Sequence, residues 1–545
     1  MKKIFLLISL IFIVLSSLQA GEITLKITKR YINLPVSQQV DRAKMTFTVN
    51  DKQERSFVIR LAANPEYWVF CDMSALNGQT ITISYEGDQA GMSKIYQDDA
   101  IEGQQSIYKE ASRPQYHFTT RRGWNNDPNG LVFYEGEYHL FYQHNPYERE
   151  WGNMHWGHAV SHDLLHWEEL PIALYPDRHG TMFSGSAVID YDNTSGFGKG
   201  NIPPMVAIYT ADNPEKQIQC IAYSLDKGRN WIKYDGNPVI DSKEKWNSKD
   251  TRDPKVFWYK QGKHWIMVLN ERDGHSIYSS SNLKDWKYES HTTGFWECPE
   301  FFELPVDGNP ANTKWVMYGA SGTYMIGRFY GRKFTPEHGK YYYTTGSIYA
   351  AQTFTNIPVS DGRRIQIGWG RISHPGMAFN SQMNLPTVLT LKTTNDGIRL
   401  FSEPVKEVDA LQEQGQQWIL LTAQQANELM SQYKEKDYLR IKTTIKLSHA
   451  TTAGLYLNGQ ELVNYDMNHN QINHVFYSPD DMTSMEITAD IFIDKTSVEV
   501  FIDHGAYSYS MERKARENNT EGFRFRGNNI EIKNLEVYIM KSIWK

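Results

Sequence analysis

Cysteine is scarce in this chain of 545 residues, which contains only three of them. The three are Cys71, Cys220 and Cys298, which lie far apart in the sequence. Because there are only three of them, at most one disulfide bond could form. The chain also has no Cys-x-x-Cys pair of the kind that holds zinc or performs thiol redox chemistry. The sequence therefore excludes a small fold held together by disulfide bonds and a zinc site built on cysteine pairs.

Long apolar runs and an excess of positive charge are missing as well. No run long enough to cross a bilayer follows the first twenty residues, and the mean hydropathy is −0.56. The 57 lysines and arginines are outnumbered by 63 aspartates and glutamates, which gives a formal net charge of −6. We therefore expect neither membrane insertion nor a nucleic-acid partner. Nothing in the sequence indicates an oligomeric state.

The first twenty residues have the pattern of a secretory signal peptide. Lys2 and Lys3 form a charged start, an apolar stretch follows from Ile4 to Leu15, and Leu18-Gln19-Ala20 is a suitable cleavage site. An uncleaved anchor is the alternative, but about 12 apolar residues are too few to span a bilayer comfortably. We therefore expect residues 1–20 to be removed and the mature protein to be exported, to the periplasm or out of the cell.

Alternation of apolar and polar residues, which is typical of strands, extends over most of the chain, and helical periodicity is rare. The aromatic content of 13% also favours strands. We predict an all-β protein with three domains after the leader. These are a small N-terminal β-sandwich-like domain over 21–112, a central domain over 113–398 and a C-terminal β-sandwich over 399–545, with one short helix at 423–434.

A degenerate repeat runs through the central domain. Asp127-Pro128-Asn129-Gly130 begins one copy, Asp253-Pro254 a second and Cys298-Pro299-Glu300 a third. A second element recurs between these copies and contains Trp167, Trp231 and Trp286. About five units of roughly 45–70 residues match the blade length of a β-propeller, so we predict a five-bladed propeller. A series of unrelated hairpins is the alternative.

Three acidic residues stand at the openings of predicted blades. The first strand of each blade lines the central axis of a propeller, so Asp127, Asp253 and Glu297 should converge there despite their distance in sequence. Clustered carboxylates perturb one another, which lets one donate a proton while another stays ionised. Cleavage of a glycosidic bond requires that division of roles. For each aspartate alone, the alternative is a residue that caps a turn.

Several motifs occur in an order that is typical of one enzyme family. They are Trp124-Asn125-Asn126-Asp127-Pro128-Asn129-Gly130, Phe141-Tyr142-Gln143-His144-Asn145-Pro146, Phe183-Ser184-Gly185, Arg252-Asp253-Pro254, Glu297-Cys298-Pro299 and Asp361-Gly362-Arg363-Arg364. Through these motifs the chain after about residue 115 resembles glycoside hydrolase family 32, the invertase, inulinase and levanase family. One departure is Asn125, which stands where that family usually has Met. We expect Asn125 to affect the rim of the pocket.

The resemblance implies a retaining, two-step reaction on fructosides. Asp127 would be the nucleophile that forms a fructosyl-enzyme intermediate, and Glu297 would be the general acid and base. Arg252 and Asp253 would hold ring hydroxyls and stabilise the transition state. Further substrate contacts are expected from Trp124, Asn126, Gln143, Trp151, Phe183, Ser184 and Trp369, with core packing as the alternative for Trp151 and Phe183. No metal ion or other cofactor is expected.

The leading functional hypothesis is an exported fructan β-fructosidase that removes terminal fructose from levan or inulin, with sucrose as a further candidate substrate. One alternative is an endo-acting levanase or inulinase, and another is a fructosyltransferase. Both would use the same three acids, so only their products distinguish them. The third alternative is a carbohydrate-binding propeller without activity, which would require a broken set of acids, whereas Asp127, Asp253 and Glu297 are all present.

Overall fold

The computed structural model describes residues 21–447, 452–476, 486–514 and 521–544. The leader predicted at residues 1–20 lies outside this part of the chain. Strands predominate, and the helices of the described ranges are short: Ser74–Leu76, Gln89–Lys94, Gln104–Ser106, Lys243–Trp246, Lys406–Leu411, Ala423–Met430 and Ser431–Tyr433. None of these helices has the length and hydropathy needed to cross a membrane.

Residues 21–104 belong to a compact unit of two antiparallel sheets. Burial alternates along its strands, as in Tyr67–Asp72, because one face of each strand turns toward an apolar interior that includes Ile32, Phe47 and Ile83. In neighbour order the strands are Gly21–Lys26, Thr80–Tyr85, Ala43–Val49 and Lys52–Ile59 in one sheet, and Tyr67–Asp72, Tyr31–Val36 and Tyr96–Asp98 in the other.

The central part of the chain forms five blades of four strands each, as the repeat predicts. From the inner strand outward, blade 1 contains Gly123–Tyr134, Glu137–Asn145, His155–Ser161 and Trp167–Leu174; blade 2 contains Thr181–Ile189, Met205–Asp212, Gln217–Ser224 and Ile232–Lys233. Blade 3 contains Thr251–Tyr259, His264–Glu271, Gly274–Ser280 and Lys287–Thr293; blade 4 contains Glu300–Val306, Asn309–Tyr318, Thr323–Phe329 and Phe334–Tyr342. Blade 5 contains Ile348–Thr353, Arg364–Gly370, Thr387–Thr394 and Gly397–Pro404.

The inner strands meet through polar side chains. Gln352 of blade 5 accepts a hydrogen bond from the Leu131 amide of blade 1 (2.9 Å) and donates one to the Gly185 carbonyl of blade 2 (3.0 Å). Lys255 of blade 3 pairs with Glu300 of blade 4 at 2.8 Å. The inner strands therefore converge on one axis, and their openings face the same end of it.

Two short strands near the end of the propeller sequence close the ring of blades. Phe379–Asn380 pairs in parallel with Gly123 and Trp124 at the opening of blade 1, and Gln382–Met383 pairs with the second strand of blade 5. The domain boundary expected after residue 398 falls inside a strand, Gly397–Pro404. This strand pairs along its whole length with Thr387–Thr394 of blade 5. We propose that the propeller extends to Pro404, and the boundary at 112 stays a prediction.

The C-terminal part of the chain is a β-sandwich whose core includes Leu439, Ile491 and Val537. In neighbour order one sheet contains Thr344–Gly346, Tyr507–Glu512, Ser497–Ile502, Glu486–Ile493, Leu439–Leu447, Ile530–Met540 and Gln412–Thr422; the other contains Val475–Phe476, Gln471–Ile472, Gln460–Asp466, Thr452–Leu457 and Phe523–Gly527. The predicted helix forms over Ala423–Met430, where Thr422 and Gln425 make a capping box.

A buried histidine joins the propeller to this sandwich. Nδ1 of His117 lies 2.8 Å from Oδ2 of Asp494, and its Nε2 lies 2.8 Å from Oε1 of Glu499. Burial alone would favour the neutral ring, but hydrogen bonds to the two carboxylates outweigh it and raise the pKa of His117 to about 9. His117 is therefore held as an imidazolium between two acids of the neighbouring domain.

Candidate active site

Four of the five inner strands contain a β-bulge near their openings. Pairing with the second strand of the blade shifts register at 125–128, 182–185, 252–255 and 349–352. Asp127, Ser184 and Asp253 lie within the first three of these bulges. A bulge inserts an unpaired residue into one strand and changes the direction of its side chains. This local geometry explains how strands with buried apolar faces can carry polar side chains at the axis.

Two of the three acids also have unusual backbone conformations. The φ angle is +65° at Asp253 and +51° at Glu297, in the left-handed region that residues other than glycine seldom adopt. Hydrogen bonds hold both positions, since the Asp253 amide donates to Oγ1 of Thr210 and the Glu297 amide donates to Oδ1 of Asn270, each at 2.9 Å. Such conformations cost about 1–3 kcal/mol each and are concentrated at functional sites.

Asp127 accepts hydrogen bonds from neutral side chains. Ser184 Oγ donates to Oδ2 at 2.7 Å, and Asn126 Nδ2 donates to Oδ1 at 3.1 Å. Burial raises the pKa of Asp127, and these two bonds oppose the rise. A cationic partner would bind the carboxylate more strongly than these neutral donors do. The surroundings of Asp127 therefore position its carboxylate and leave it available to attack an electrophile.

Asp253 is almost fully buried beside Arg252 and Cys298. Its Oδ2 accepts a hydrogen bond from the Cys298 amide at 3.0 Å and lies 3.9 Å from Nε of Arg252. Burial raises the pKa of Asp253 to about 7; Arg252 opposes this rise, and the charges of Asp127 and Glu297 add to it. This response to the other two acids shows that the three carboxylates form one electrostatic cluster.

The thiol of Cys298 lies between two of the acids. Its Sγ is 3.5 Å from Oδ2 of Asp127 and 3.6 Å from Oδ2 of Asp253. Burial, reinforced by the nearby carboxylates, raises the pKa of this thiol, so the sulfur stays protonated and can donate. The position of Cys298 between Asp127 and Asp253 follows from the left-handed turn at Glu297 and Cys298.

Glu297 is held at both carboxylate oxygens. Arg252 Nη2 donates to Oε1 at 2.7 Å, and the hydroxyl of Tyr349 donates to Oε2 at 2.6 Å. Arg252 is fixed in turn by Asp250, which accepts from Nη1 at 2.8 Å. Sequence reasoning missed Tyr349, although it lies at the opening of the blade 5 inner strand, the position that the acids occupy in blades 1 and 3. The blade position was the signal that could have identified it.

Gln143 is linked to Asp127 through a buried chain of hydrogen-bonded polar groups. Its Nε2 donates to the Met182 carbonyl at 2.8 Å. With the Asn129 amide nitrogen oriented toward Ser184, that nitrogen is 3.2 Å from Ser184 Oγ and the amide oxygen accepts from Gln143 Nε2 at 3.1 Å. Gln143 and Asn129 therefore support Ser184, which donates to Asp127.

The aromatic residues form two groups around the acids. Trp124 Nε1 donates to Asn126 at 2.8 Å, and its ring contacts the edge of Trp369 at a centroid distance of 5.8 Å. Trp369 also contacts Tyr349, at 6.2 Å. Trp151 and Phe183 form a separate pair at 6.0 Å, in which Trp151 is 54% exposed. This exposure makes core packing a poor explanation for Trp151.

Asn125, for which we expected an effect on the rim of the pocket, is itself completely buried. Neither atom of its amide has a hydrogen-bond partner within the described residues. Asn125 precedes the bulge that turns Asp127 toward the axis, so its own side chain lies inside the blade.

The propeller brings three coupled acids, a guanidinium and a tyrosine hydroxyl to one end of its axis. This arrangement meets the conditions for glycosidic cleavage. Residues 117–404 match the family model described as the glycosyl hydrolases family 32 N-terminal domain. The chain belongs to this family. The predicted resemblance is thereby confirmed, and so is the prediction that the protein is a glycosidase.

Relatives of known activity agree with the membership in family 32. The chain is 40% identical to the levanase of Bacillus subtilis (strain 168) over 81% of its own length and 72% of the relative's. It is 34% identical to an extracellular exo-inulinase of Aspergillus niger over 74% of its own length and 90% of the relative's. The crystal structure of the exo-inulinase from Aspergillus awamori matches with a TM-score of 0.70 at 30% identity, covering 80% of this chain and all of that one (100%). The predicted combination of propeller and C-terminal sandwich is confirmed by this match.

Proposed function

We propose that this protein is an exported, retaining β-fructosidase that removes terminal fructose from levan and inulin. The observation that carries the proposal is the different environment of two acids. Asp127 is held by the neutral donors Ser184 and Asn126, whereas Glu297 is held between Arg252 and Tyr349. The similarity to a levanase and to exo-inulinases supports fructans as the substrates.

In the first step, Asp127 attacks the anomeric carbon of the terminal fructosyl unit and forms a covalent bond to it. The glycosidic bond breaks at the same time, and protonated Glu297 gives its proton to the leaving oxygen. In the second step, ionised Glu297 takes a proton from water, and the water oxygen replaces Asp127 at the anomeric carbon. Fructose leaves, and both acids return to their starting forms.

The contacts of Glu297 suit the second step in particular. Both of its oxygens accept hydrogen bonds, from Arg252 and from Tyr349, which is the arrangement of an ionised carboxylate. For the first step Glu297 must carry a proton, so one donor must turn away when the substrate is bound. The hydroxyl of Tyr349 can do this by rotation about one bond, while Arg252 is fixed by Asp250.

Asp253 and Arg252 are proposed to bind neighbouring hydroxyl groups of the fructosyl ring. Arg252 offers donors in a fixed planar fork, and the buried Asp253 carboxyl offers acceptors next to it. Two-point binding of this kind fixes the anomeric carbon over Asp127, which converts binding energy into correct orientation. Trp124 and Trp369 would then contact the apolar face of the sugar.

Matched variants test these roles. Asp127→Asn and Glu297→Gln should each lower kcat/KM on levan by at least about 100-fold, because they remove the nucleophile and the proton donor. The exposed Asp235→Asn is the control and should keep full activity. A variant at Asp127 or Glu297 that keeps near-normal turnover would refute the assigned role.

The stereochemistry of the reaction is tested by trapping with methanol. A retaining enzyme acting on a β-fructoside gives methyl β-fructofuranoside, and an inverting enzyme gives the α-anomer. Export is tested separately by cell fractionation of the full chain and of a chain without residues 1–20. Activity outside the cytoplasm that depends on these residues supports export, and equal distribution of the two chains contradicts it.

A further inference from the structure

A large cavity lies at the end of the propeller axis opposite the acids. Its volume is about 780 Å³, within the range of ligand-binding pockets. Phe133, Phe257 and Trp258, which line it, stand near the ends of inner strands that carry Asp127 and Asp253 near their openings. Tyr259 follows Asp253 by six positions on one strand, which corresponds to about 20 Å at ~3.3 Å per residue. The cavity is therefore distinct from the catalytic site.

A buried ion pair closes the axis between the two sites. Nζ of Lys255 lies 2.8 Å from Glu300 and donates to the Thr353 carbonyl at 2.7 Å. The hydroxyl of Thr353 donates to the other oxygen of Glu300 at 2.6 Å. Lys255 and Glu300 are at most 3% exposed, so their side chains pack between the two ends of the axis.

Arg364 is only partly paired within the protein. Its Nε is buried without a hydrogen-bond partner in the described part of the chain, and its Nη1 donates to the Phe354 carbonyl at 3.5 Å. The guanidinium carbon stands 5.1 Å from the centre of the Phe302 ring. By contrast, the neighbouring Arg363 is bound by the carboxylates of Asp361 and Glu407. Unpaired buried donors are costly and Arg364 lines the cavity, so a ligand whose acceptors reach its guanidinium would be stabilised there.

The charge of the lining favours a neutral ligand. Four carboxylate side chains and four cationic side chains line the cavity, which gives an anion no net attraction. Half-buried rings at Phe133, Phe257 and Trp258 offer apolar faces, and Tyr191 at the edge is 61% exposed. Aromatic faces beside a guanidinium fork suit a polyhydroxylated ring, which presents C–H groups on its faces and acceptors at its edge.

We propose that this cavity is a second, non-catalytic binding site for neutral fructo-oligosaccharides, with Arg364 as its main polar contact. The choice of fructo-oligosaccharides as the ligand rests on the proposed function, because an enzyme that acts on fructans meets these chains while it works. A chain held at the second site raises the local concentration of polymer ends. The site should therefore assist the hydrolysis of fructan polymers and leave that of sucrose unchanged.

Calorimetry on the full chain carrying Asp127→Asn and Glu297→Gln tests the proposal, with nystose as the probe. We expect two molecules of nystose bound per chain. Adding Arg364→Met should weaken the second site at least tenfold, and Tyr191→Ala should weaken it as well. Tyr191 is exposed, so this variant keeps the test valid if Arg364→Met fails to fold. Tyr342→Ala, at a residue that is 59% exposed and does not line the cavity, is the matched control and should leave both sites intact.

The result that overturns the proposal is one nystose per chain, or a second site that Arg364→Met and Tyr191→Ala do not change. Kinetics of the active enzyme give an independent check. Tyr191→Ala should raise KM for levan several-fold and leave kcat/KM for sucrose unchanged, and equal effects on both would also overturn the proposal. Failure of the proposed function would instead appear as no fructose released by the unmodified protein, whatever the binding stoichiometry.

Discussion

The hydroxyl of Tyr349 donates a 2.6 Å hydrogen bond to Oε2 of Glu297, the proposed acid and base. The same carboxylate accepts from Arg252 at its other oxygen. A residue outside the recognised motifs thus contacts the group that must gain and lose a proton in every turnover. Tyr349 is consequently expected to position Glu297 for proton transfer.

Tyr349→Phe removes one of the two donors that hold the Glu297 carboxylate. We expect kcat on levan to fall by about 10-fold with little change in KM, because Glu297 is then less well positioned for proton transfer. The split between kcat and KM separates positioning of Glu297 from a general loss of packing around the site, which would change both. Tyr342→Phe, at a residue that is 59% exposed, is the control. An unchanged kcat would contradict this role for Tyr349.

Ser184→Ala should change the acid limb of the dependence of kcat/KM on pH. Burial raises the pKa of Asp127 and the Ser184 hydrogen bond lowers it, so removing that bond raises the pKa further. The nucleophile must be ionised, which means that activity should disappear at a higher pH as the solution is acidified. Ser186→Ala is the control, because Ser186 bonds to the Pro254 carbonyl and not to an acid. A shift to lower pH in Ser184→Ala would contradict the account.

His117 should link the stability of the protein to pH. Its folded-state pKa of about 9 lies above the value of about 6.5 expected for the unfolded chain, so its contribution is complete below pH 6.5 and is lost as the pH rises through 9. His117→Gln leaves Asp494 and Glu499 without their cation and should lower the free energy of unfolding by about 3–5 kcal/mol at pH 6.

Denaturant unfolding at pH 6 and pH 9 measures this effect. The difference between the unmodified protein and His117→Gln should be larger at pH 6 than at pH 9. His166→Gln is the matched control, since His166 is exposed and pairs with the nearby Asp163 at the surface. If the difference is the same at both pH values, His117 does not carry the proposed charge.

The three thiols should be inert in the folded protein. Cys71 and Cys220 are buried, and burial raises the pKa of Cys220 to about 12. Cys298 is partly exposed, but its raised pKa leaves little of the reactive thiolate. A thiol-reactive dye at pH 7.5 should label almost nothing within minutes in buffer and all three residues after unfolding. Rapid labelling of Cys298 in buffer would show that its proton is not held as described.

Much of the site could be predicted because a propeller brings the equivalent positions of its repeats together at one axis. Residues that open equivalent strands meet at the axis, so Asp127 and Asp253 could be grouped from spacing and chemistry alone. Their bulges and the left-handed φ angles could not be predicted, because they depend on pairing with the second strand of each blade. The contact between Tyr349 and Glu297 required the fifth blade to be positioned against the fourth.

Other features depend on contacts between residues far apart in sequence. His117 and Asp494 are 377 positions apart, and no local pattern marks either of them as a partner of the other. The burial of Asn125 could not be predicted either, since it depends on the bulge that follows this residue. Composition could not indicate the cavity around Arg364, because strands and loops from several blades line it.

The most direct test of the proposed function is a time course of products from levan and from inulin, resolved by chain length. We predict free fructose as the only small product from the earliest points, with polymers that shorten gradually, because one terminal unit is bound over Asp127 in each turnover. A ladder of intermediate oligosaccharides would contradict exo action and show an endo-fructanase with the same three acids. Products longer than the donor would instead show transfer to a sugar hydroxyl.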